Sequence, residues 1–210
     1  TKKGSVGTPL RITYDGNTSV ATAIKFLDVY SGDQMRDIAF NNKALYGIDS
    51  YSKLGSENTN WQKEIYRTAV SQDHNLSVTG AVKQVPYRVS IGYTDQNGIL
   101  KNTDLQRTTA ALSLDPSFFK KDLKVSINIK GMHTNQNYGE TGAIGSAINM
   151  DPTQVIKDGS SRYDGYYQWA NYGASLGTPN PVEQAMAADN RAVVQRVIAN
   201  AQFNYRFRFL

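Results

Sequence analysis

The chain has no cysteine among its 210 residues, which excludes disulfides, thiolate zinc sites and cysteine nucleophiles. No apolar run approaches the roughly 18 residues of a transmembrane helix. The chain therefore either stays in water or enters a membrane as strands. Histidine is scarce. His74 and His133 lack the four-residue helical spacing of paired metal ligands, so both read as ordinary polar residues near strand ends, and neither a metal nor a cofactor is expected. Gly4-Ser5-Val6-Gly7 lacks the Lys-Ser/Thr ending of a phosphate loop and reads as a flexible connector. A start methionine and a signal peptide are also missing. The chain opens on Thr1-Lys2-Lys3-Gly4 and closes at Phe209-Leu210 directly after a strand pattern, so the expectation is an internal segment of a longer protein. The net charge of +5 is scattered over strands, turns and loops, without the clustered basic face of a nucleic-acid binder, and no nucleic-acid partner is expected.

What the chain does contain is alternation. From Val193 to Phe209, Val197, Ala199, Ala201, Phe203, Tyr205, Phe207 and Phe209 fall on one face. Arg196, Asn200, Gln202, Asn204, Arg206 and Arg208 fall on the other, broken only by Ile198. Side chains of a strand point to opposite faces in turn, so this is a strand with one apolar and one wet side. The run is about 17 residues, whereas strands of soluble domains have about 5–6 and a bilayer-spanning strand needs roughly 9–11. The pattern recurs at Leu10–Tyr14, Leu76–Val78, Tyr87–Tyr93, Leu112–Leu114 and Leu123–Ile129.

Six strands follow, at about 10–20, 74–81, 87–94, 104–114, 123–134 and 193–209. Lys83 to Pro86 and Asp115-Pro116-Ser117 read as tight turns, and Asp95-Gln96-Asn97-Gly98 as a hairpin turn. The connections across 21–73 and 135–190 run to about 50 residues, unusual in compact soluble domains. In the first, Ser31 with Gln34 resembles a capping box, and Asn60 is a plausible cap for a short helix holding Trp61 and Ile65. Strand parity places both long connections at one end and both tight turns at the other. Outer-membrane barrels have that asymmetry of loops.

The blocks inside this frame resemble a known family. Asn60-Trp61-Gln62-Lys63-Glu64-Ile65-Tyr66-Arg67-Thr68-Ala69 is similar to the "DWQDEIFRTA" block of SusC/RagA-type TonB-dependent outer-membrane transporters. His74 to Gly80, Tyr87 to Tyr93 and Asp95 to Leu100 resemble the "HNLSVSGG", "YYVSLGY" and "DQEGIVKNSD" blocks, in order. Thr1-Lys2-Lys3-Gly4 resembles the "TTKKG" that closes the plug domain, and Asp189-Asn190-Arg191 the "DNR" that opens a later strand. The resemblance implies an all-β fold, an antiparallel up-and-down transmembrane barrel of about 22 strands around a plug. Residues 1–8 would end the plug and 9–210 would begin the barrel. It also implies energised uptake of oligosaccharides or peptides across the bacterial outer membrane, with a SusD-like surface lipoprotein and the TonB complex as partners, and no enzymatic activity.

In such a barrel Val89, Ile91, Val125, Ile127, Phe203 and Tyr205 would face lipid. Arg88, Lys124, Arg196 and Arg206 would face the lumen, because a cation on the lipid face at mid-bilayer costs about 2–4 kcal/mol. Tyr205, Phe207 and Phe209 would join an aromatic girdle at the periplasmic end. Tyr163, Tyr166, Tyr167, Trp169 and Tyr172 lie within one loop and have two readings: packing within the loop, or contact with ligand or lid. Carboxylate pairs such as Asp33 with Asp37, and Asp158 with Asp164, suit a helix start and a turn-rich loop better than catalysis. Two other readings of the pattern remain: a passive porin-type barrel without a plug, and a soluble β-sandwich carbohydrate-binding module, which would bury its apolar faces against a second sheet.

Overall fold

The computed structural model describes Gly4 and residues 9–46, 52–159, 163–169, 177–207 and 209. Apart from Gly4, the expected plug exit at residues 1–8 lies outside the described residues.

Long alternating segments form long strands. They are β1 (Arg11–Ala21), β2 (Ala69–Val82), β3 (Val85–Asn97), β4 (Asp104–Leu114), the two-residue β5 (Ser117–Phe118), β6 (Leu123–Asn137) and β7 (Arg191–Tyr205). All pairings are antiparallel in a single sheet, in the order β1-β2-β3-β4-β6-β7, with β5 a short addition beside β6. The long strands are sequential neighbours, so the sheet is an up-and-down meander.

Strand ends depart from the sequence reading. β2 starts at Ala69, so His74 sits within the strand and not at its start. β3 continues through the expected Asp95–Gly98 turn, because Asp95, Gln96 and Asn97 pair with Gln106, Leu105 and Asp104. The turn lies at Gly98–Thr103 instead, closed by Gly98 N–H donating to Thr103 O at 2.9 Å. Arg67 holds it from a distance: Nε donates to Gly98 O at 3.0 Å and Nη2 to Thr103 O at 2.9 Å. A clamp 31 residues away in sequence thus overrides a local turn signal. Pro86 lies inside β3 opposite Ala81, and its carbonyl accepts from Asp115 N–H at 3.0 Å.

The register aligns the alternation across the sheet. One row runs Ile12, Val78, Val89, Leu112, Ile129, Ala199. The next runs Tyr14, Leu76, Ile91, Ala110, Gly131, Val197. Arg11, Thr79, Arg88, Ser113, Asn128 and Asn200 form a row on the opposite face. A one-residue slip in any pair would mix the two faces, so the shared pattern fixes the register.

The second layer sits at the long-connection end. α1 (Gly32–Asn41) begins with Ser31, whose side chain accepts from Gln34 N–H while Gln34 caps the Ser31 backbone in return. α2 (Trp61–Ile65) is capped by Asn60, which accepts from Lys63 N–H at 3.1 Å. Two further helices, α3 (Gly142–Asn149) and α4 (Pro181–Ala187), occupy the second long connection. Trp61, Ile65, Leu100, Ala143, Tyr167 and Val182 belong to one buried cluster that joins both connections to the β3–β4 turn. This small core belongs to the loops, not to the sheet.

Candidate functional site

The sheet and the loop layer each present a concave site. On the polar face of the sheet, a hollow of about 440 Å³ is lined by Arg88, Lys130 and Arg196 around Met132 and Ile198. Three cations from β3, β6 and β7 thus converge over a small apolar floor. Arg88 and Arg196, two of the expected lumen residues, meet there. Lys124 shares their face further along β6, opposite Asn204, and Arg206 lies past the end of β7, where its N–H donates to Asp122 O at 2.8 Å.

Towards the loops, the same face carries a polar ladder across three strands. Thr94 Oγ1 donates to Asp73 Oδ2 at 2.6 Å and Arg107 Nη2 donates to Thr94 Oγ1 at 3.3 Å. Asn17, Ser19, Ser71 and Gln96 surround it. The sequence reading did not single these residues out. Their signal was present, since each falls on the wet phase of its strand.

The apolar face is bare over most of its extent. Ile91 is 56% exposed and Phe203 is 69% exposed. Val89 and Tyr205 are exposed as well, and Ile127 is half-buried. Val125 differs: it keeps its place in the apolar register opposite Phe203 but is buried. The turn before β5 lies beside it, with Val125 N–H donating to Pro116 O at 3.0 Å, so its own chain covers it. Tyr205 and Phe207 meet edge-on at 4.8 Å, and Phe207 and Phe209 at 5.5 Å, at the end away from the loops. Near the loop end, Tyr14 Oη lies 2.7 Å from His74 Nδ1 and the rings stack. His133 lies in the same cross-strand row, next to Gln195. Among the described residues, no three His, Asp or Glu side chains converge as metal ligands.

The aromatic loop divides by role. Tyr167 is buried in the loop core, edge-on to Trp169 at 5.7 Å. Tyr166 is half-buried with Lys157 Nζ 4.3 Å above its ring, a cation–π contact. Tyr163 is exposed, and Tyr172 lies outside the described residues. Asn180, fully buried, anchors the group. Its Nδ2 donates to Ile156 O and Tyr167 O, and its Oδ1 accepts from Val182 and Glu183 N–H.

Trp169 also lines a second cavity of about 680 Å³, between the two long connections. Asp28, Tyr30, Lys53, Trp61 and Asn149 share that lining. Its walls are tied together. Trp61 Nε1 donates to Asp151 O at 2.8 Å, and Gln62 makes paired bonds with the Leu27 backbone at 2.9 and 2.8 Å. Arg36 reaches the carbonyls of Gly55 and Glu57.

No family model matches the chain. It is 38% identical over its whole length to the TonB-dependent receptor SusC of Bacteroides thetaiotaomicron, of which it spans 22%. It is 28% identical over 73% of its length to the TonB-dependent receptor P3 of Formosa agariphila, of which it spans 16%. Among solved structures it is similar to the RagAB peptide transporter, with a TM-score of 0.61 at 20% identity over 86% of this chain and 24% of that one. It is also similar to the RagAB peptide importer in its open-open state, with a TM-score of 0.63 at 18% identity over 97% of this chain and 27% of that one.

Proposed function

The chain belongs to the SusC/RagA-type TonB-dependent receptors, and from that premise we propose that it forms part of the wall and outer loops of an energised importer in the bacterial outer membrane. Residues 9–210 begin the barrel in this reading, after a plug that closes near residue 8. The apolar face meets lipid, through Val89, Ile91, Ile127, Phe203 and Tyr205. The polar face, with Arg88, Lys124, Arg196 and Arg206, lines the passage and meets the plug. The loop layer faces outward, towards a SusD-like lipoprotein lid. The solute is an oligosaccharide or a peptide, and TonB acts on the plug from the periplasm.

The observation that carries this reading is the row Ile12, Val78, Val89, Leu112, Ile129, Ala199. It continues apolar across six strands with no second sheet against it among the described residues. In water such a face is a liability, whereas in hydrocarbon it is the required surface. A β-sandwich would have to cover it with a facing sheet, about 10 Å away. No helix of the described residues is long and apolar enough to cross a membrane, so strands would make the crossing.

Uptake in cells tests the transport step. Cells carrying the full-length receptor are compared with deletion cells for accumulation of fluorescent oligosaccharides and peptides, with and without a proton uncoupler. The expected result is accumulation that needs both the receptor and the proton gradient. Uptake that persists after uncoupling would instead identify a passive pore.

A further inference from the structure

We infer that the cavity between the two long connections is a solute-capture site for a neutral oligosaccharide, with Tyr30 and Trp169 as its stacking surfaces. The inference rests on the transporter reading and adds a place and a ligand class to it. Its volume, about 680 Å³, lies within the roughly 300–1,000 Å³ of small-ligand sites. That is room for a short oligomer.

The lining selects the chemistry. Tyr30 is 65% exposed between two anchored points, Leu27, whose backbone is tied to Gln62 of α2, and Ser31, which caps α1, so an aromatic face is offered on a tethered backbone. Trp169 is half-buried and braced from behind by Tyr167. Flat aromatic faces suit the apolar faces of sugar rings, and the polar groups around them suit hydroxyls. Those groups are Asn149, Asp28 and Lys53.

Net charge does not recommend a charged solute. Asp28 and Lys53 oppose each other in sign. Asp151, the other carboxylate in the lining, is buried and already accepts from Thr153 N–H at 2.8 Å and Gln154 Nε2 at 3.0 Å. It braces the wall and is not a counter-ion for a ligand. Peptide capture is disfavoured for a separate reason. An extended peptide is most simply held by adding a strand to a sheet edge, and no lining residue belongs to a strand.

The walls are preformed. Thr59 N–H donates to Pro152 O at 2.8 Å, Glu57 N–H to Thr153 O at 3.0 Å, and Thr59 Oγ1 to Gln154 O at 2.7 Å. These bonds join two connections nearly 100 residues apart, so ligand binding would not have to order the site.

Calorimetric titration of the full-length receptor in detergent tests this. The probes are maltoheptaose, cellohexaose, xylohexaose, mannohexaose and an inulin-type fructan, with a defined mixture of short peptides as the rival class. The variants are Tyr30→Ala, Trp169→Ala, Trp169→Phe and, outside the cavity, Tyr163→Ala. Tyr30 is exposed enough that its truncation leaves the fold intact. At least one oligosaccharide is expected to bind, with affinity about tenfold weaker in Tyr30→Ala and Trp169→Ala. Trp169→Phe should recover most of that loss, and Tyr163→Ala should stay within about twofold. No sugar binding, unchanged affinity in both alanine variants, or peptide binding weakened by the same variants would each overturn the inference. Uncoupler-sensitive uptake that survives those outcomes leaves the transporter reading standing. Uncoupler-insensitive uptake removes that reading whatever the cavity binds.

Discussion

The strand wall and the loop layer are built from the same residue types and solve burial in opposite ways. In the wall, most large apolar side chains point outward with no second layer of the described residues against them, Val125 beside the turn before β5 being the exception. In the loop layer, Trp61 and Ile65 are 2% and 0% exposed inside a core that the loops make for themselves. Alternating residues on an extended backbone can hide one face only against another layer, and among the described residues no second sheet covers the wall. Residues at helical spacing can converge on a centre. The wall therefore depends on its surroundings for stability, whereas the loop layer carries its own.

That contrast can be broken most sharply at Trp61. Trp61→Ala is expected to cost the loop layer about 3–5 kcal/mol, through the cavity it leaves and the lost bond to Asp151 O. Hydrogen exchange on the full-length receptor should show faster exchange across α2 and residues 150–157, with β2 and β3 unchanged. Spread of the effect into the strands would mean that the two regions do not fold as separate units.

Ile91→Arg probes the wall at its apolar face. In a bilayer it is expected to destabilise the receptor by about 2–4 kcal/mol, measured as the urea midpoint for folding into vesicles. Arginine at Ser90, one residue along on the wet face, should cost far less. Equal costs would contradict the division of faces.

Asn180→Ala tests how much of the loop layer rests on polar bonds. Removing its side chain takes this partner from the Tyr167 carbonyl and the Val182 and Glu183 N–H groups, while Ile156 O keeps the Tyr167 N–H bond, at about 1–3 kcal/mol for a buried group left unpaired. The expected signature is increased protease cleavage near 156–168 with the barrel intact. The smallest expected effect is at the cap of α2. Asn60→Ala should cost about 0.5–2 kcal/mol, seen as faster exchange of the Lys63 amide.

The sheet was legible in the sequence because a period of two survives burial on one side only. Both helix caps in the first connection were legible too, since Ser31 and Asn60 act through neighbours three residues away. The extension of β3 to Asn97 was not, because the clamp that moves the turn comes from Arg67. α4 carries a local signal of its own: Asn180 followed by Pro181 is a cap followed by a residue suited to the first helical turn. α3 left almost none, as its Gly- and Ala-rich segment has no side-chain cap. The cavity was beyond sequence reasoning altogether. It joins Asp28, Lys53, Asn149 and Trp169 from four separate stretches, brought together by long-range bonds and the shared loop core. The aromatic loop showed its composition but not its division, in which Tyr167 packs inward while Trp169 keeps a face on the cavity.

The most direct test of the two-faced wall is accessibility scanning of the full-length receptor in lipid bilayers, one spin label at a time along Arg88 to Tyr93 and Gln202 to Tyr205. Labels at Val89, Ile91, Tyr93, Phe203 and Tyr205 should collide with dissolved oxygen and be shielded from a water-soluble nickel chelate. Labels at Arg88, Ser90, Gln202 and Asn204 should be shielded from oxygen. A scan without a period of two, or with Ile91 and Phe203 as open to the chelate as Ser90, would contradict the account.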